Sequence, residues 1–478
     1  MAEAECPRLP SWVRILDALA IIAFIVALTV AIFGGFSTHI GFVRLSARSP
    51  LRLGFITLAL IAVRHAAFPS PPLHRRAVEW AQMLRDDPSA AVVTTAWCSR
   101  IAVLVTAYFA VLTIGLSKDV GFKVSADPVM NLPARYDAGW YVGIALGGYY
   151  FQGRFDRQQN IVFFPAYPFA MRVVGYLVGA FEGGVPWERR MARALWGGTV
   201  LSIIAFMWGA SYLARLARDT IGEAHATDAV MLIAAYPFAI FFSLPYTEAT
   251  FLLGSVAAFY HFRRRAWVRA AAWGALVGLT RPNGCLLSLA LACVIAENFY
   301  SRWKSPNRES QNHHILKSFL SASAPGLGML AYSAYMNHLT GSWFGWARLQ
   351  VAWGRSFEGL APLARVLTRI EDEGLARAVV LVPYDALNAL AWVFALVMLW
   401  PVFRRLGLGA VVFVIINIIP PVLAGGLMSM GRITSTLFPI FLALAAILPR
   451  RFVLPFVTAF AIGEGLVAAL FFTWRPLF

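Results

Sequence analysis

Charged residues are scarce in this sequence. Only 14% of its 478 residues are charged and 59% are hydrophobic, whereas a soluble domain has about 25% charged and 45 to 50% apolar residues. The apolar residues also gather into runs near the roughly 20 residues that span a hydrocarbon core. The shortage of polar surface therefore excludes an ordinary soluble fold and predicts a polytopic, all-α membrane protein.

Cysteine and acidic residues are also few. Cys6, Cys98, Cys285 and Cys293 show no CxxC or zinc spacing, which argues against a disulfide framework or a cysteine metal site. The 24 acidic residues are outnumbered by 41 Lys and Arg, giving a net charge of +17. The basic residues lie between apolar runs rather than along one polar face, so we interpret them as topology signals and headgroup contacts, not as a nucleic-acid surface.

The apolar runs predict about thirteen transmembrane helices, several of them short. The first run is long for a signal peptide and lacks a convincing A-x-A site, so we expect an uncleaved span with a cytoplasmic amino terminus. The predicted spans lie near residues 14–35, 53–68, 97–117, 191–216, 228–244, 247–262, 267–281, 285–297, 318–338, 381–403, 406–424, 432–449 and 452–473.

A further apolar segment, residues 161–181, contains Pro165, Pro168 and Arg172 and suits either a span or an interfacial helix. Treating it as interfacial places the later basic loops in the cytoplasm, as the positive-inside rule favours. Those loops carry Arg263, Arg264, Arg265 and Arg269; Arg302, Lys304, Arg308 and Lys317; Arg404 and Arg405; and Arg450 and Arg451. One cluster, Arg189, Arg190 and Arg193, then lies on the outer side, where headgroup or phosphate binding would explain it.

Two long loops, residues 118–160 and 339–380, are predicted to be extracytoplasmic and to carry interfacial helices.

The densest polar and aromatic sequence runs from Arg135 to Pro168. Asp137 is our candidate catalytic base, because a carboxylate at the membrane boundary can accept a proton from a hydroxyl nucleophile. The alternative is a helix-capping Asp137 paired with Arg135, since Asp is a common N-cap residue. The residue alone leaves both interpretations open.

This stretch resembles the PIG-V type mannosyltransferases, within the multi-pass GT-C glycosyltransferases that use polyprenyl-phosphate sugars. The matching residues are Tyr136-Asp137, Trp140-Tyr141, Ile144-Ala145, Gly148-Tyr149, Asn160, Phe163-Phe164-Pro165 and Tyr167-Pro168. One departure is Tyr136, where the family usually has Trp, and it keeps an aromatic ring beside the carboxylate.

Three later segments also resemble this family, in the same order: Ser243 to Glu248, Thr280 to Gly284, and Met430-Gly431-Arg432 running into Leu437-Phe438-Pro439. The resemblance covers roughly residues 130–440. We accordingly divide the chain into an N-terminal transmembrane segment with extra spans (residues 1–125), a GT-C-like catalytic transmembrane core that includes the outer loops (residues 126–450), and a C-terminal transmembrane helix (residues 451–478).

The resemblance implies an inverting transfer of a hexose from a polyprenyl-phosphate sugar to a lipid or glycolipid acceptor. The hexose expected from the family is mannose. Asp137 would be the base in this reaction, and Arg281 and Arg432 would stabilise the leaving phosphate. The substrate-binding candidates are Arg135, Tyr136, Trp140, Gln159, Asn160, Glu248, Arg281, Asn283, Arg348, Arg355 and Arg432. The site would face outward in a bacterial cytoplasmic membrane or the lumen in an endoplasmic reticulum membrane.

Several of these candidates have a structural alternative. Arg281 and Arg432 each need a partner, which is either a lipid phosphate or a carboxylate such as Glu248 or Asp137. Glu248 itself suits a helix cap as well as a site. Arg348 and Arg355 lie near Trp346 and Trp353, and such pairs are often plain membrane anchors.

No cofactor is indicated with certainty. The outer loops lack a tight D-x-D motif, so a divalent cation requirement stays open. The rival hypothesis is a transporter or flippase of a lipid-linked substrate, but such a protein should place its ionisable residues near the bilayer midplane. The predicted partners are therefore the sugar donor, the acceptor and the membrane, without nucleic acid.

The charge pattern predicts that residues 118–160 and 339–380 share one side of the membrane. A single cysteine placed in either loop should react with a membrane-impermeant thiol reagent in intact cells. Labelling of one loop only after permeabilisation would refute a site shared by both loops.

Overall fold

The computed structural model describes residues 10–33, 36–40, 43–47, 49–69, 88–303 and 312–475, and these residues are almost entirely helical. Within them, the predicted all-α class is confirmed apart from one antiparallel hairpin of β1 (Phe36–Ile40) and β2 (Val43–Ala47). Cys6, Lys304 and Arg308 lie outside the described residues.

Two N-terminal helices, α1 (Ser11–Phe33) and α2 (Pro50–Ala67), pack against each other. Helix α2 begins where Ser49 Oγ accepts a hydrogen bond from the Arg52 amide at 3.3 Å and Pro50 supplies a preset φ at the first helical position. Asp17 of α1 and Arg64 of α2 form a buried ion pair of 3.0 Å between the two helices. These two charges therefore neutralise each other at the contact between two largely apolar helices.

The rest of the described chain, from residue 88 onward, consists of further helices and short 3-10 turns. They are α3 (Pro88–Thr113), α4 (Ala138–Gly147), α5 (Ala166–Leu177), α6 (Trp187–Ile221), α7 (Ala226–Ala234), α8 (Glu248–Arg263), α9 (Trp267–Gly278), α10 (Leu287–Trp303), α11 (Asn312–Thr340), α12 (Gly345–Arg348), α13 (Ala361–Glu373), α14 (Leu375–Leu381), α15 (Pro383–Leu406), α16 (Leu408–Gly425), α17 (Met430–Ser435), α18 (Phe438–Ile447) and α19 (Arg450–Phe472). The 3-10 turns are Asn160–Val162, Glu223–His225, Ala239–Ser243, Pro282–Leu286 and Leu349–Trp353.

Seven helices in the described part of the chain are long and apolar enough to cross a membrane. This confirms a multi-pass membrane protein, while the count of thirteen spans stays a prediction.

Two predicted spans are not continuous helices. The segment 228–244 is α7 followed by a 3-10 turn, with Pro237 between them, and the segment 432–449 divides into α17 and α18 before Pro439. Proline cannot donate the backbone hydrogen bond that a continuous helix requires.

Helix α5 occupies the segment that suited either a span or an interfacial helix. Its 12 residues extend about 18 Å at 1.5 Å per residue, well short of a hydrocarbon core of about 30 Å. Tyr167 and Met171 are buried, while Phe169, Val173 and Tyr176 are exposed. Because the helix is too short to cross the hydrocarbon core, its length favours the interfacial interpretation.

Glycines allow the backbones of α9 and α11 to touch. A Cβ on Gly278 would collide with the Pro325 carbonyl oxygen, and a Cβ on Gly328 would collide with the Ala275 carbonyl oxygen. Directly after α9, a Cβ on Gly284 would collide with the Val277 carbonyl oxygen. The Thr280 to Gly284 motif thus forms a turn too tight for any residue but glycine at its end, and this turn fixes where Arg281 lies.

Candidate active site

Four charged side chains from distant parts of the chain meet in one ion cluster, which comprises Asp137, Glu248, Arg281 and Arg432. Arg432 Nη1 lies 2.6 Å from Asp137 Oδ2, and Arg432 Nε donates to Glu248 Oε1. Arg281 Nη2 lies 2.9 Å from the same Glu248 oxygen. The structure therefore brings together the four charged groups that the separate sequence motifs contributed.

Helix ends and turns supply all four groups. Asp137 directly precedes α4, Glu248 is the first residue of α8, and Arg281 precedes the 3-10 turn Pro282–Leu286. Arg432 lies in the short helix α17. A carboxylate at the first turn of a helix is favoured by the helix dipole, which helps to hold Glu248 ionised at the start of α8.

Glu248 is the buried centre of the ion cluster. Its side chain is 0% exposed, and one of its oxygens accepts from both Arg281 and Arg432. The helix cap of α8 is Thr247 instead, and Thr247 makes no side-chain capping bond. Thr247 Oγ1 accepts a 2.8 Å hydrogen bond from Arg281 Nη2. The capping interpretation of Glu248 is therefore wrong, and its carboxylate acts as the counter-ion of two arginines.

Asp137 is the more accessible of the two carboxylates, with its side chain 23% exposed. Asp137 occupies the N-cap position of α4, as the capping alternative expected, but its side chain makes no capping bond there and pairs with Arg432 rather than with Arg135. Among the described residues, Asp137 Oδ1 has no hydrogen-bond partner, because the contact with Arg432 uses Oδ2. One carboxylate oxygen is thus held while the other can still accept a proton.

A strained turn places Asp137. Tyr136 has φ of 44°, a left-handed conformation that costs a non-glycine residue about 1 to 3 kcal/mol. Its ring centroid lies 4.5 Å from that of Trp474, and its hydroxyl donates to the Arg475 carbonyl at 2.9 Å. The Tyr246 hydroxyl accepts from the Asp137 amide and donates to the Arg135 carbonyl, at 3.0 Å each. These contacts hold the turn in its strained conformation.

The two arginines of the ion cluster are also flanked by aromatic rings. The guanidinium carbon of Arg432 lies 4.6 Å from the Tyr246 ring centroid, and that of Arg281 lies 4.7 Å from the Phe251 ring centroid. Such contacts stabilise a cation where water is limited. Tyr246 lies in the Ser243 to Glu248 motif and was not among the predicted site residues, although an aromatic ring two positions before Glu248 was a usable signal.

A third guanidinium, that of Arg355, lies beside the ion cluster. Its Nη2 donates to the Met428 carbonyl at 3.4 Å, and no carboxylate of the described chain forms an ion pair with it. Burial, followed by the positive charge of Arg432, lowers the pKa of Arg355, whereas the Asp137 carboxylate raises it. With two carboxylates and three guanidiniums, this part of the protein carries one positive charge in excess.

Aromatic residues form a wall next to Asp137. The Trp140 and Phe163 rings are stacked with centroids 5.9 Å apart, and Trp353 approaches them at 5.1 Å and 5.3 Å. Trp140 belongs to the first turn of α4, and Trp353 lies two residues before Arg355. The two outer loops predicted from the sequence therefore meet at this wall.

Other sequence candidates have local partners that account for them without a ligand. Gln159 Oε1 accepts from the Gln152 amide at 2.8 Å, and Asn160 Nδ2 donates to the Gly148 carbonyl at 3.0 Å. Both side chains are buried, so they shape the loop. Asn283 Nδ2 donates to Asn417 Oδ1 at 2.6 Å.

Arg135 and Arg348 lie outside the ion cluster. Arg135 is fully buried and donates to backbone carbonyls, including that of Phe472 at 2.7 Å. Arg348 is exposed, with its guanidinium carbon 4.3 Å from the Phe155 ring centroid. Neither makes an ion pair in the described chain. The same residues contain no group of three His, Cys, Asp or Glu side chains placed to hold a metal ion.

The ion cluster predicts that Glu248→Gln destabilises the protein. The amide keeps the shape but leaves two largely buried guanidiniums with one carboxylate, and breaking a buried pair costs about 3 to 5 kcal/mol. We expect a clearly lower Tm in detergent. Asp156→Asn is the matched control, because Asp156 pairs with Arg154 in the exposed outer loop and such pairs contribute little. Equal Tm values for the two variants would contradict the central role of Glu248.

Comparison with known families agrees with this arrangement. Residues 122–350 match the family model described as Mannosyltransferase (PIG-V). The matched region, nearly half of the chain, contains Asp137, Glu248 and Arg281 and ends before Arg355 and Arg432. No curated protein matches the chain. Residues 122–350 thus resemble the PIG-V mannosyltransferases, and together with the membrane-length helices this match supports a membrane glycosyltransferase.

Proposed function

We propose that this enzyme transfers mannose from a polyprenyl-phosphate donor to a lipid-linked or other membrane-bound acceptor on the extracytoplasmic side, with inversion at the anomeric carbon. The observation that carries the proposal is the environment of Asp137. One oxygen of this carboxylate is held by Arg432, and the other has no partner in the described chain, beside a cluster with excess positive charge. The family match favours this enzyme over the transporter hypothesis.

In the proposed reaction, Asp137 acts as the general base. Its Oδ1 takes the proton of the acceptor hydroxyl while that oxygen attacks the anomeric carbon of the donor. The bond between the anomeric carbon and the phosphate oxygen breaks, and its electron pair leaves with the lipid phosphate. Because this leaving group departs already ionised, the site needs no general acid, unlike a glycoside hydrolase. The proton held by Asp137 then passes to water.

The donor phosphate would bind on the side of the three arginines. A guanidinium has five N–H donors, and the ion pairs occupy only Nε and Nη1 of Arg432 and Nη2 of Arg281. Both arginines therefore retain donors for phosphate oxygens although they pair with carboxylates. Arg355, which has no ion-pair partner in the described residues, supplies the excess charge that an anionic donor would neutralise.

The aromatic wall suits the sugar. Trp140 and Trp353 are partly exposed. Trp140 follows Asp137 by three residues, and Trp353 precedes Arg355 by two. Such rings pack against the apolar C–H face of a hexose and leave its hydroxyls for polar groups. A mannose bound against them would have its anomeric carbon between the proposed base and the proposed phosphate-binding arginine.

The extracytoplasmic side follows from the loop charges. Orientation by the positive-inside rule keeps the loops after α8, α10, α15 and α18 in the cytoplasm. Asp137 and Arg355, which come from the two long hydrophilic stretches, are then on the opposite side. The interfacial length of α5 agrees with this topology. The membrane is then a bacterial cytoplasmic membrane with the site outward, or that of the endoplasmic reticulum with the site facing the lumen.

Asp137→Asn tests the base. The amide preserves shape but lacks basicity, so transfer of labelled mannose from polyprenyl-phosphate mannose should fall by about 10²- to 10⁴-fold, the usual contribution of a general base. Donor binding should change little, and Tm should be recorded because the pair with Arg432 is weakened. Asp156→Asn, in the same loop, should retain activity. Turnover of Asp137→Asn near that of the wild type would remove Asp137 from the mechanism.

Arginine-to-lysine variants test phosphate binding, since Lys keeps the charge but loses the planar two-point contact. Arg355→Lys should raise the KM for the donor roughly tenfold, with little change in Tm, because charge-assisted hydrogen bonds are strong. Arg281→Lys and Arg432→Lys should lower both donor affinity and Tm, because they also pair with Glu248. Arg348→Lys is the exposed control. An unchanged donor KM in all three site variants would exclude these arginines from the donor site.

A further inference from the structure

Arg135 is a buried cation without a counter-ion in the described chain. Its Nε donates to the Phe472 carbonyl at 2.7 Å, and its Nη1 donates to the carbonyls of Asn131 and Ala134 at 2.8 Å each. Its Nη2 is buried and has no hydrogen-bond partner there. Arg135 was predicted to bind substrate, yet its guanidinium contacts the last residue of α19 rather than the ion cluster.

This arrangement is costly for a guanidinium. Burial lowers the pKa of Arg135 to about 10, although the neighbouring Tyr136 and Tyr246 raise it. The Trp474 ring, 5.8 Å from the guanidinium carbon, offsets only part of the lost hydration. A buried charge normally has an ionic partner as well as hydrogen bonds. The missing partner is therefore expected to be an anion from outside the described chain.

A small cavity next to Arg135 provides room for such an anion. Its volume is about 80 Å³, and its polar border is formed by Arg135, Lys123, Ser125 and Asn131. A single water needs roughly 10 to 15 Å³ of such space. The cavity therefore has room for several water-sized groups, which is enough for a phosphate. No Asp or Glu of the described residues borders the cavity. Its border thus combines two cations with a hydroxyl donor and no acid.

We propose that this cavity binds a phosphate group through Arg135 and Lys123, at a site separate from the donor site. The phosphate comes either from a lipid headgroup or from free phosphate. The headgroup source agrees with Val111 and Leu116, at and just beyond the end of α3, which border the cavity. The proposal does not depend on the direction or chemistry of sugar transfer.

The site is joined to the catalytic turn through the backbone. The Arg135 carbonyl accepts from the Tyr246 hydroxyl, which in turn accepts from the Asp137 amide. A phosphate that neutralises Arg135 would therefore stabilise the strained turn that presents Asp137. Binding should raise the thermal stability of the folded protein, because a ligand that binds only the native state shifts unfolding.

Thermal unfolding of the purified full chain tests this proposal. One arm titrates inorganic phosphate against chloride at constant ionic strength, and the other compares nanodiscs that contain phosphatidylglycerol with nanodiscs of an uncharged, phosphate-free glycolipid. Tm should rise with at least one of these phosphates. Lys123→Gln should weaken the apparent affinity roughly tenfold, because it removes one charge-assisted contact. Arg135→Gln should abolish the shift, and Lys123→Gln keeps the test valid if Arg135→Gln does not fold.

Two controls locate the effect. Lys118→Gln removes the same charge from an exposed lysine that does not border the cavity, and Arg355→Lys reports phosphate bound beside Asp137. Both should retain the Tm shift. A shift with inorganic phosphate identifies a free-phosphate site, and one with phosphatidylglycerol alone identifies a headgroup site. If neither phosphate raises Tm, or if Lys123→Gln responds like Lys118→Gln, the proposal is overturned.

Discussion

A carboxylate that is removed from water must be neutralised, and Glu248 meets this requirement by holding two arginines at once. Arg281 and Arg432 approach the same Glu248 oxygen from different segments of the chain. Because the penalty for leaving any of these charges unpaired is several kcal/mol, the ends of α8 and α9 and the short helix α17 are fixed relative to each other. Asp137 is then positioned by Arg432, so the accessible carboxylate depends on the buried one.

Interrupted helices make this meeting of charges possible. Helix α7 stops at Ala234, and its free carbonyl accepts a 2.6 Å hydrogen bond from Arg100 Nη2. The same nitrogen lies 2.9 Å from Glu464 Oε1. In a membrane, backbone groups released by a broken helix must find partners inside the protein. Arg100 thereby stabilises the break before the 3-10 turn Ala239–Ser243, which leads directly into the segment that carries Tyr246 and Glu248.

The sequence predicted the membrane class, the helical content and the four charged groups that meet, because hydropathy and ordered motifs are local signals. It could not decide how these groups pair. Arg432 and Asp137 are 295 positions apart, whereas the adjacent Arg135 looked like the natural partner of Asp137. The left-handed Tyr136 between them reverses the chain locally, so that Arg135 and Asp137 contact different neighbours. Strain of this kind leaves no signature in composition or charge pattern.

The two carboxylates of the ion cluster illustrate how environment assigns different roles to similar groups. Glu248 is sealed from solvent and holds two arginines through one oxygen, so it is placed to organise the cluster and not to meet an acceptor hydroxyl. Asp137 contacts one cation through one oxygen and is partly exposed. Taking up a proton on the other oxygen leaves its contact with Arg432 in place, and Arg432 remains bound to Glu248. A proton can therefore be accepted at Asp137 without dismantling the cluster, which is the property that a general base at the edge of a membrane requires.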